Sequence, residues 1–194
     1  MDASIFLNIY GNVDVTKAFT SISDNEDELS CVLRIHLLSE RLLDAWISSS
    51  IGIEDLFENA KDERLKFRLT FALKLALAKK LGFPIEFVKC LQILNTRRND
   101  FAHRYDCEPL SDSDIEKMAT SIRSYPAPEK AISIDEVNFQ VFTQDGKPLT
   151  PFLFKSATTP KRIKLLIIYA AILARIMAIV SKKGFAGDPL GFKY

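Results

Sequence analysis

The run RNDFAH, at residues 98–103, brings together a permanent cation, an amide and a titratable imidazole near the end of a predicted helix. The arginine, Arg98, could stabilise the charge that develops on a phosphate, and the histidine, His103, could transfer a proton near neutral pH. This pair suits cleavage of an RNA phosphodiester without a metal ion. Short motifs carry a high false-positive risk, so the elements around the run have to support the interpretation.

A helix that starts after Pro84 carries the run on an apolar stripe. The stripe has offsets of four, three, four and three, and consists of Phe87, Leu91, Leu94, Arg98 and Phe101. An arginine on a core-facing stripe needs a partner, because an unpaired buried guanidinium is too costly. Glu40, on the first long helix, is the predicted supporting partner of Arg98.

Three further polar residues accompany this pair. Asn99 lies four residues before His103 and shares its helix face, where it would orient the histidine or a phosphate. Arg97 and Arg104 flank the motif and are candidate RNA phosphate contacts, with ordinary solvated charges as the alternative. The pair itself has a structural alternative, in which Arg98 binds a carboxylate such as Glu40 or Asp44 and His103 caps helix carbonyls.

The rest of the pattern predicts an all-α fold, an antiparallel helical bundle formed by a single domain over residues 1–194. A Ser-x-x-Glu capping box at residues 23–26 opens a helix to about residue 48, and a second helix spans about residues 62–81. N-caps at residues 110–114 start a short helix that ends near residue 124, so helices fill 23–124. Alternating apolar residues predict a β-hairpin-like insertion at 130–155, before a C-terminal core helix at 158–183.

Composition narrows the classes of function. A net charge of +1 over 194 residues argues against a protein that coats nucleic acid by bulk electrostatics. Three cysteines without CxxC spacing indicate reduced, buried thiols in a cytoplasmic protein, and the N-terminus does not resemble a signal peptide. The apolar stretch 165–180 is short for a membrane span and contains Arg175, which favours a buried bundle helix.

Metal and cofactor chemistry find little support in the sequence. The lone His36, on the first long helix, is more typical of a satisfied core or surface histidine than of a metal ligand. Two scattered histidines and three scattered cysteines form no recognisable metal site, and phosphate-loop, Rossmann, GxSxG and HExxH motifs are missing. The basic residues of the second helix, Lys74 among them, are interpreted as a solvated face.

The RNDFAH run resembles the R-x4-6-H signature of the HEPN superfamily, and the order of elements resembles its mannitol-repressor-like branch. The resemblance includes a Leu-rich first helix with acidic positions (HLLSERLLDAWI), a second helix rich in Leu and Lys, and an acidic loop after the motif. It covers residues 27–114 well and the last helix loosely. The hairpin region has no counterpart in it.

The resemblance implies an all-helical bundle that forms a homodimer, with two motifs facing each other in one cleft. It also implies a metal-independent endoribonuclease of a toxin–antitoxin or phage-defence system, partnered by RNA and by an antitoxin or regulatory protein. Arg98 and His103 match the catalytic pair of that family, and Asn99 matches the polar residue that often follows the arginine. Members named after the mannitol repressor are instead transcriptional regulators. A regulator or a non-catalytic protein- or RNA-interaction domain is therefore the alternative.

Overall fold

The structure, a computed structural model, describes residues 1–11, 15–24, 27–54, 56–57, 69–103, 110–126, 133–140 and 151–186. These ranges contain seven α-helices and one short antiparallel strand pair, which confirms the predicted all-α helical bundle. In chain order the elements are α1 (Ala3–Gly11), α2 (Val15–Asp24), α3 (Glu28–Ile51), α4 (Phe71–Lys80), α5 (Ile85–His103), α6 (Asp112–Ser124), β1 (Asn138–Phe139), β2 (Phe152–Leu153) and α7 (Lys161–Ala186).

The long helix α3 is the centre of the bundle and packs against α1, α2, α4, α5 and α7. Its apolar face is fully buried around Leu42, Leu43 and Trp46, whose indole meets Phe83 edge to face at a centroid distance of 5.1 Å. Burial of such large side chains is the main term that stabilises the bundle. The α5 helix, which carries the motif, is therefore packed against the central helix of the bundle.

The N-terminal segment, for which the sequence predicted no element, forms α1 and α2. Phe6, Ile9 and Tyr10 of α1 are buried, and the hydroxyl of Tyr10 lies 2.8 Å from that of Tyr169 on α7. This hydrogen bond gives two buried hydroxyl groups a partner. The N-terminus is therefore part of the bundle core.

The capping box predicted at residues 23–26 is wrong. Ser23 lies inside α2, and α3 begins at Glu28 with Asp27 as its N-cap. The Asp27 carboxylate accepts hydrogen bonds from the backbone N–H groups of Leu29 and Ser30, each at 3.1 Å. Several acidic and hydroxyl residues lie close together here, and local spacing alone does not decide which of them caps a helix.

The helices on either side of the α4–α5 turn differ in how well the sequence predicted them. The predicted start of α4 at residue 62 lies outside the described residues, but Thr70 is extended and caps a helix that begins at Phe71. Gly82 ends the turn with a φ of 85°, a left-handed conformation that favours glycine. As predicted, α5 begins directly after Pro84. Several N-caps were predicted at residues 110–114, and the structure shows that Ser111 caps α6.

The described residues of the predicted hairpin form one short strand pair. Asn138 pairs with Leu153 and Phe139 with Phe152 in an antiparallel register. Each strand has two residues, and residues 141–150 of the predicted insertion lie outside the described residues. The insertion is attached to the bundle through the buried side chains of Ile134 and Phe154.

The helix α7 contains the longest apolar stretch of the described residues. Its segment Lys161–Lys182 is long and apolar enough to cross a membrane, but more than half of its most apolar window is buried inside the fold. Leu166, Ile167 and Ile172 are buried, and α7 packs against α1, α2, α3 and α6. This packing fits the core helix expected from the sequence.

Candidate functional site

The last two turns of α5 carry the motif out of the bundle core. Phe87, Leu91 and Leu94 are at most 1% exposed, whereas Phe101 is half-buried and Arg98 is exposed. The expectation that Arg98 lies on a core-facing stripe is therefore wrong. The stripe leaves the core near the end of the helix, and an exposed guanidinium keeps its water and needs no buried partner.

The partner of Arg98 differs from the predicted one. Its Nη1 donates to the Oδ1 of Asn99 at 3.0 Å, within the motif itself. Glu40 and Asp44 both bind Lys74, so the predicted pairing of Arg98 with Glu40 is wrong. Among the described residues, the Arg98 guanidinium has no carboxylate within ion-pair distance, and its positive charge is not neutralised by a direct contact.

Arg97, the neighbouring residue, has the opposite environment. Its Nε lies 2.7 Å from the Oδ2 of Asp114, and its Nη1 lies 3.4 Å from Asp100. The same Asp114 oxygen accepts from the backbone N–H and the hydroxyl of Ser111, which closes the capping box of α6. Arg97 was predicted to contact RNA, but the structure places it in a junction between α5 and α6.

Burial alone would raise the pKa of Asp114, but hydrogen bonds from Arg97 and Ser111 outweigh it and lower the pKa. The carboxylate therefore stays ionised in the folded protein and holds both partners through charge-assisted hydrogen bonds. Arg97 consequently fixes the position of the motif helix against α6.

His103 is the last residue of α5, and its side chain, like the whole of Arg104, lies outside the described part of the structure. The helix backbone still relates Arg98 to His103. Five residues correspond to a rise of about 7.5 Å and a rotation of about 140° around the axis. The two positions thus lie on different sides of one helix, whereas Asn99 and His103 share a side.

A second polar cluster, which sequence reasoning missed, lies where α3, α4 and α5 meet. His36 of α3 is 5% exposed, its Nε2 lies 3.1 Å from the Oδ1 of Asn95, and its ring centroid is 4.1 Å from that of Phe71. Asn95 is one turn before Arg98 on α5. Burial first, and then the charge of Arg98, lower the pKa of His36, although Asn95 and Glu40 act in the opposite direction.

His36 is consequently a neutral histidine at pH 7, whose Nε2–H donates to Asn95. This matches the satisfied histidine expected from the sequence. Its link to Asn95 joins residues 59 positions apart, and no local pattern could have revealed it. The contact couples the motif helix to the central helix.

Lys74 of α4 completes this cluster. It is buried, with its Nζ 2.9 Å from Glu40, 2.7 Å from Asp44 and 4.9 Å from the ring centroid of Phe57. Burial raises the pKa of Asp44 even though Lys74 lowers it. The interpretation of Lys74 as part of a solvated face is wrong, because this lysine bridges two carboxylates of α3.

The potential metal ligands and the cysteine thiols of the described residues form no reactive site. No three potential metal-ligating side chains come together within the described ranges. Cys31 and Cys90 are buried thiols, as expected, and burial raises the pKa of each to about 12. Such thiols are poor nucleophiles. Cys107 lies outside the described residues.

No family model, curated protein or solved structure matches the chain. The resemblance to HEPN domains therefore rests on the residues of the motif and on the order of the helices.

Proposed function

We propose that this protein is a metal-independent endoribonuclease of the HEPN type, which acts as a homodimer in the cytoplasm. The observation that supports this most is the state of Arg98. Its guanidinium is exposed, its bond goes to the neutral amide of Asn99, and no carboxylate in the described ranges pairs with it. A guanidinium in this state can bind a phosphate through charge-assisted hydrogen bonds.

The reaction follows from the chemistry of the motif residues. His103 removes the proton of a ribose 2'-hydroxyl, whose oxygen attacks the adjacent phosphorus. The bond from phosphorus to O2' forms and the bond to O5' breaks, with a protonated histidine supplying the proton that O5' takes up. Arg98 stabilises the charge on the phosphorane-like transition state. The products are a 2',3'-cyclic phosphate and a 5'-hydroxyl, so the substrate must be RNA.

Helix geometry supports the need for two copies. Arg98 and His103 lie about 140° apart around α5, which makes it hard for one straight helix to present both to one phosphate. A two-fold axis that passes near the two α5 ends can bring Arg98 of one copy beside His103 of the other. An isologous interface of this kind creates a composite site and supplies two histidines for the two proton transfers.

A non-catalytic role in protein contact, as in mannitol-repressor-like regulators, is the second candidate. Leu33 and Leu37 lie four residues apart on α3 and are 39% and 64% exposed. Exposed leucines in line on one helix favour a protein-contact surface. In addition, two predicted site residues, Arg97 and Glu40, already have ion-pair partners that need no ligand.

The deciding experiment measures cleavage of a mixed RNA panel in EDTA by the wild type and by Arg98→Ala and His103→Ala. The matched control is Arg34→Ala, because Arg34 is also exposed and donates to a neutral group, the hydroxyl of Ser21 at 2.6 Å. We expect cyclic-phosphate ends from the wild type and the control. Loss of Arg98 should slow cleavage about 10²–10³-fold, and loss of His103 about 10²–10⁴-fold.

A folded, dimeric wild type that leaves every RNA intact would overturn the nuclease proposal and favour the regulator. Cleavage that continues unchanged in both motif variants would place the active site elsewhere.

A further inference from the structure

A groove with a volume of about 510 Å³ lies between α5 and α6, apart from the exposed guanidinium of Arg98. Its lining includes Lys89 and Ile93 from α5 and Ser113, Glu116, Lys117 and Thr120 from α6. A volume in the range of about 300–1,000 Å³ is typical of sites for small organic ligands. The groove is thus large enough for a ligand with an organic body as well as a charged group.

The lining of the groove carries a net positive charge. Lys89 and Lys117 are exposed, and neither forms an ion pair with any residue in the described ranges. The acidic residue of the lining, Glu116, lies 2.6 Å from the Nη1 of Arg123 and also accepts from the hydroxyl of Thr120. Arg123 also binds Asp135, at 2.8 Å, so it is shared between two carboxylates. Two ammonium groups against the single carboxylate of Glu116 leave the lining with a net positive charge.

The other lining groups complement these charges. Ile93 and the methylene stems of the lysines supply apolar surface for a flat or cyclic group. Ser113 adds a hydroxyl group that can donate a hydrogen bond to a phosphate. Apolar surface next to two cations fits an organic anion better than a bare inorganic one.

We propose that the groove between α5 and α6 binds a small organic phosphate of about the size of a nucleoside monophosphate, with Lys89 and Lys117 holding the phosphate. This proposal does not depend on the nuclease, because none of these residues belongs to the RNDFAH motif. The groove would be a second ligand site, non-catalytic and formed between α6 and the motif-bearing helix α5.

Calorimetric titration with adenosine 5'-monophosphate, adenosine and inorganic phosphate tests the site. We expect saturable binding of the monophosphate and much weaker binding of the other two, since each lacks one half of the contacts. The variant Lys89→Gln/Lys117→Gln should weaken binding about tenfold or more. The matched control is Lys79→Gln/Lys80→Gln, which removes the same charge from two exposed positions at the end of α4 and should leave binding unchanged.

A bulky substitution in the groove tests the same ligand site independently of charge. Thr120 is exposed, so Thr120→Trp should fill the groove without disturbing the core, and the monophosphate should no longer bind. Adenosine that binds as tightly as its monophosphate, or full affinity in the double lysine variant, would overturn the proposal. Binding that is abolished by Arg98→Ala and unaffected by the lysine variant would also overturn it, and would instead indicate an anion at the motif.

Discussion

Arg97 and Arg98 are adjacent in the chain and identical in type, yet they lie in contrasting regions of the molecule. Arg97 faces α6, where the buried carboxylate of Asp114 holds it at 2.7 Å. Arg98 projects into solvent and bonds the amide of Asn99. A rotation of about 100° around the helix separates a residue that connects two helices from one that is accessible to a ligand.

The comparison shows that charge in this protein has two distinct uses around α5. On the inner sides, ion pairs such as Arg97–Asp114 and Lys74–Asp44 attach α5 and α4 to their neighbours. Near the C-terminal end of α5, the Arg98 guanidinium is exposed beside the amide of Asn99. Removal of one partner from an ion pair with little solvent access strongly destabilises the folded protein. An exposed charge, in contrast, adds little to stability.

The largest effect is expected from Lys74→Ala. The substitution leaves the buried carboxylate of Asp44 and the half-buried one of Glu40 without their ammonium partner. We expect the free energy of unfolding, measured by urea denaturation, to fall by about 3 kcal/mol. Lys79→Ala, on the same helix but exposed, should change it by less than about 0.5 kcal/mol. Equal effects of the two variants would show that Lys74 is solvated.

The junction between α5 and α6 should give the next largest effect. Asp114→Ala removes the partner of Arg97 and one half of the α6 capping box, and should destabilise by about 2 kcal/mol. Asp112→Ala, an exposed carboxylate in the same turn, is the control and should cost about 0.5 kcal/mol or less. If the two variants unfold at the same urea concentration, Arg97 is not held as described.

Local patterns predicted some of this molecule and missed the rest for physical reasons. The helix capped within residues 110–114, the start of α5 after Pro84 and the apolar helix α7 could be predicted, because propensity and periodicity act within a few residues. The exposure of Arg98 could not, since the position where a helix leaves the core depends on the length of its neighbours. The Lys74 bridge to Glu40 spans 34 residues, a separation that no periodic pattern encodes.

The pH dependence of stability should reveal the His36 contact between α3 and α5. Burial and the charge of Arg98 lower the pKa of His36 below its ordinary value near 6.5. Below about pH 6.5, His36 therefore binds a proton more readily in the unfolded chain than in the folded one. The free energy of unfolding consequently falls as the pH decreases.

The measurement compares the free energy of unfolding at pH 7.5 and pH 5.5, values chosen as about one unit on either side of that ordinary pKa. His36→Gln should lose less stability than the wild type over this interval. Asp114 does not interfere, because its lowered pKa means that its contribution is lost only below about pH 4. An identical pH profile in both proteins would contradict a neutral, buried His36.

The smallest effect on stability is expected at Asn99, the partner of Arg98. Asn99→Ala and Asn99→Asp should each change the free energy of unfolding by less than about 0.5 kcal/mol, since the Arg98–Asn99 bond is exposed. The aspartate, however, would neutralise Arg98 and should slow RNA cleavage more than the alanine does. The comparison of their initial cleavage rates checks this. Faster cleavage by Asn99→Asp would contradict a role for the positive charge.

Arg97→Ala and Arg98→Ala are best compared in unfolding and in RNA cleavage with EDTA present. We predict that Arg98→Ala keeps wild-type stability and cleaves about 10²–10³-fold more slowly. Arg97→Ala should instead lose about 2 kcal/mol of stability, because it leaves the buried Asp114 without its cation. A folded Arg98→Ala protein that cleaves RNA at the wild-type rate would show that this exposed arginine does not act on the phosphate.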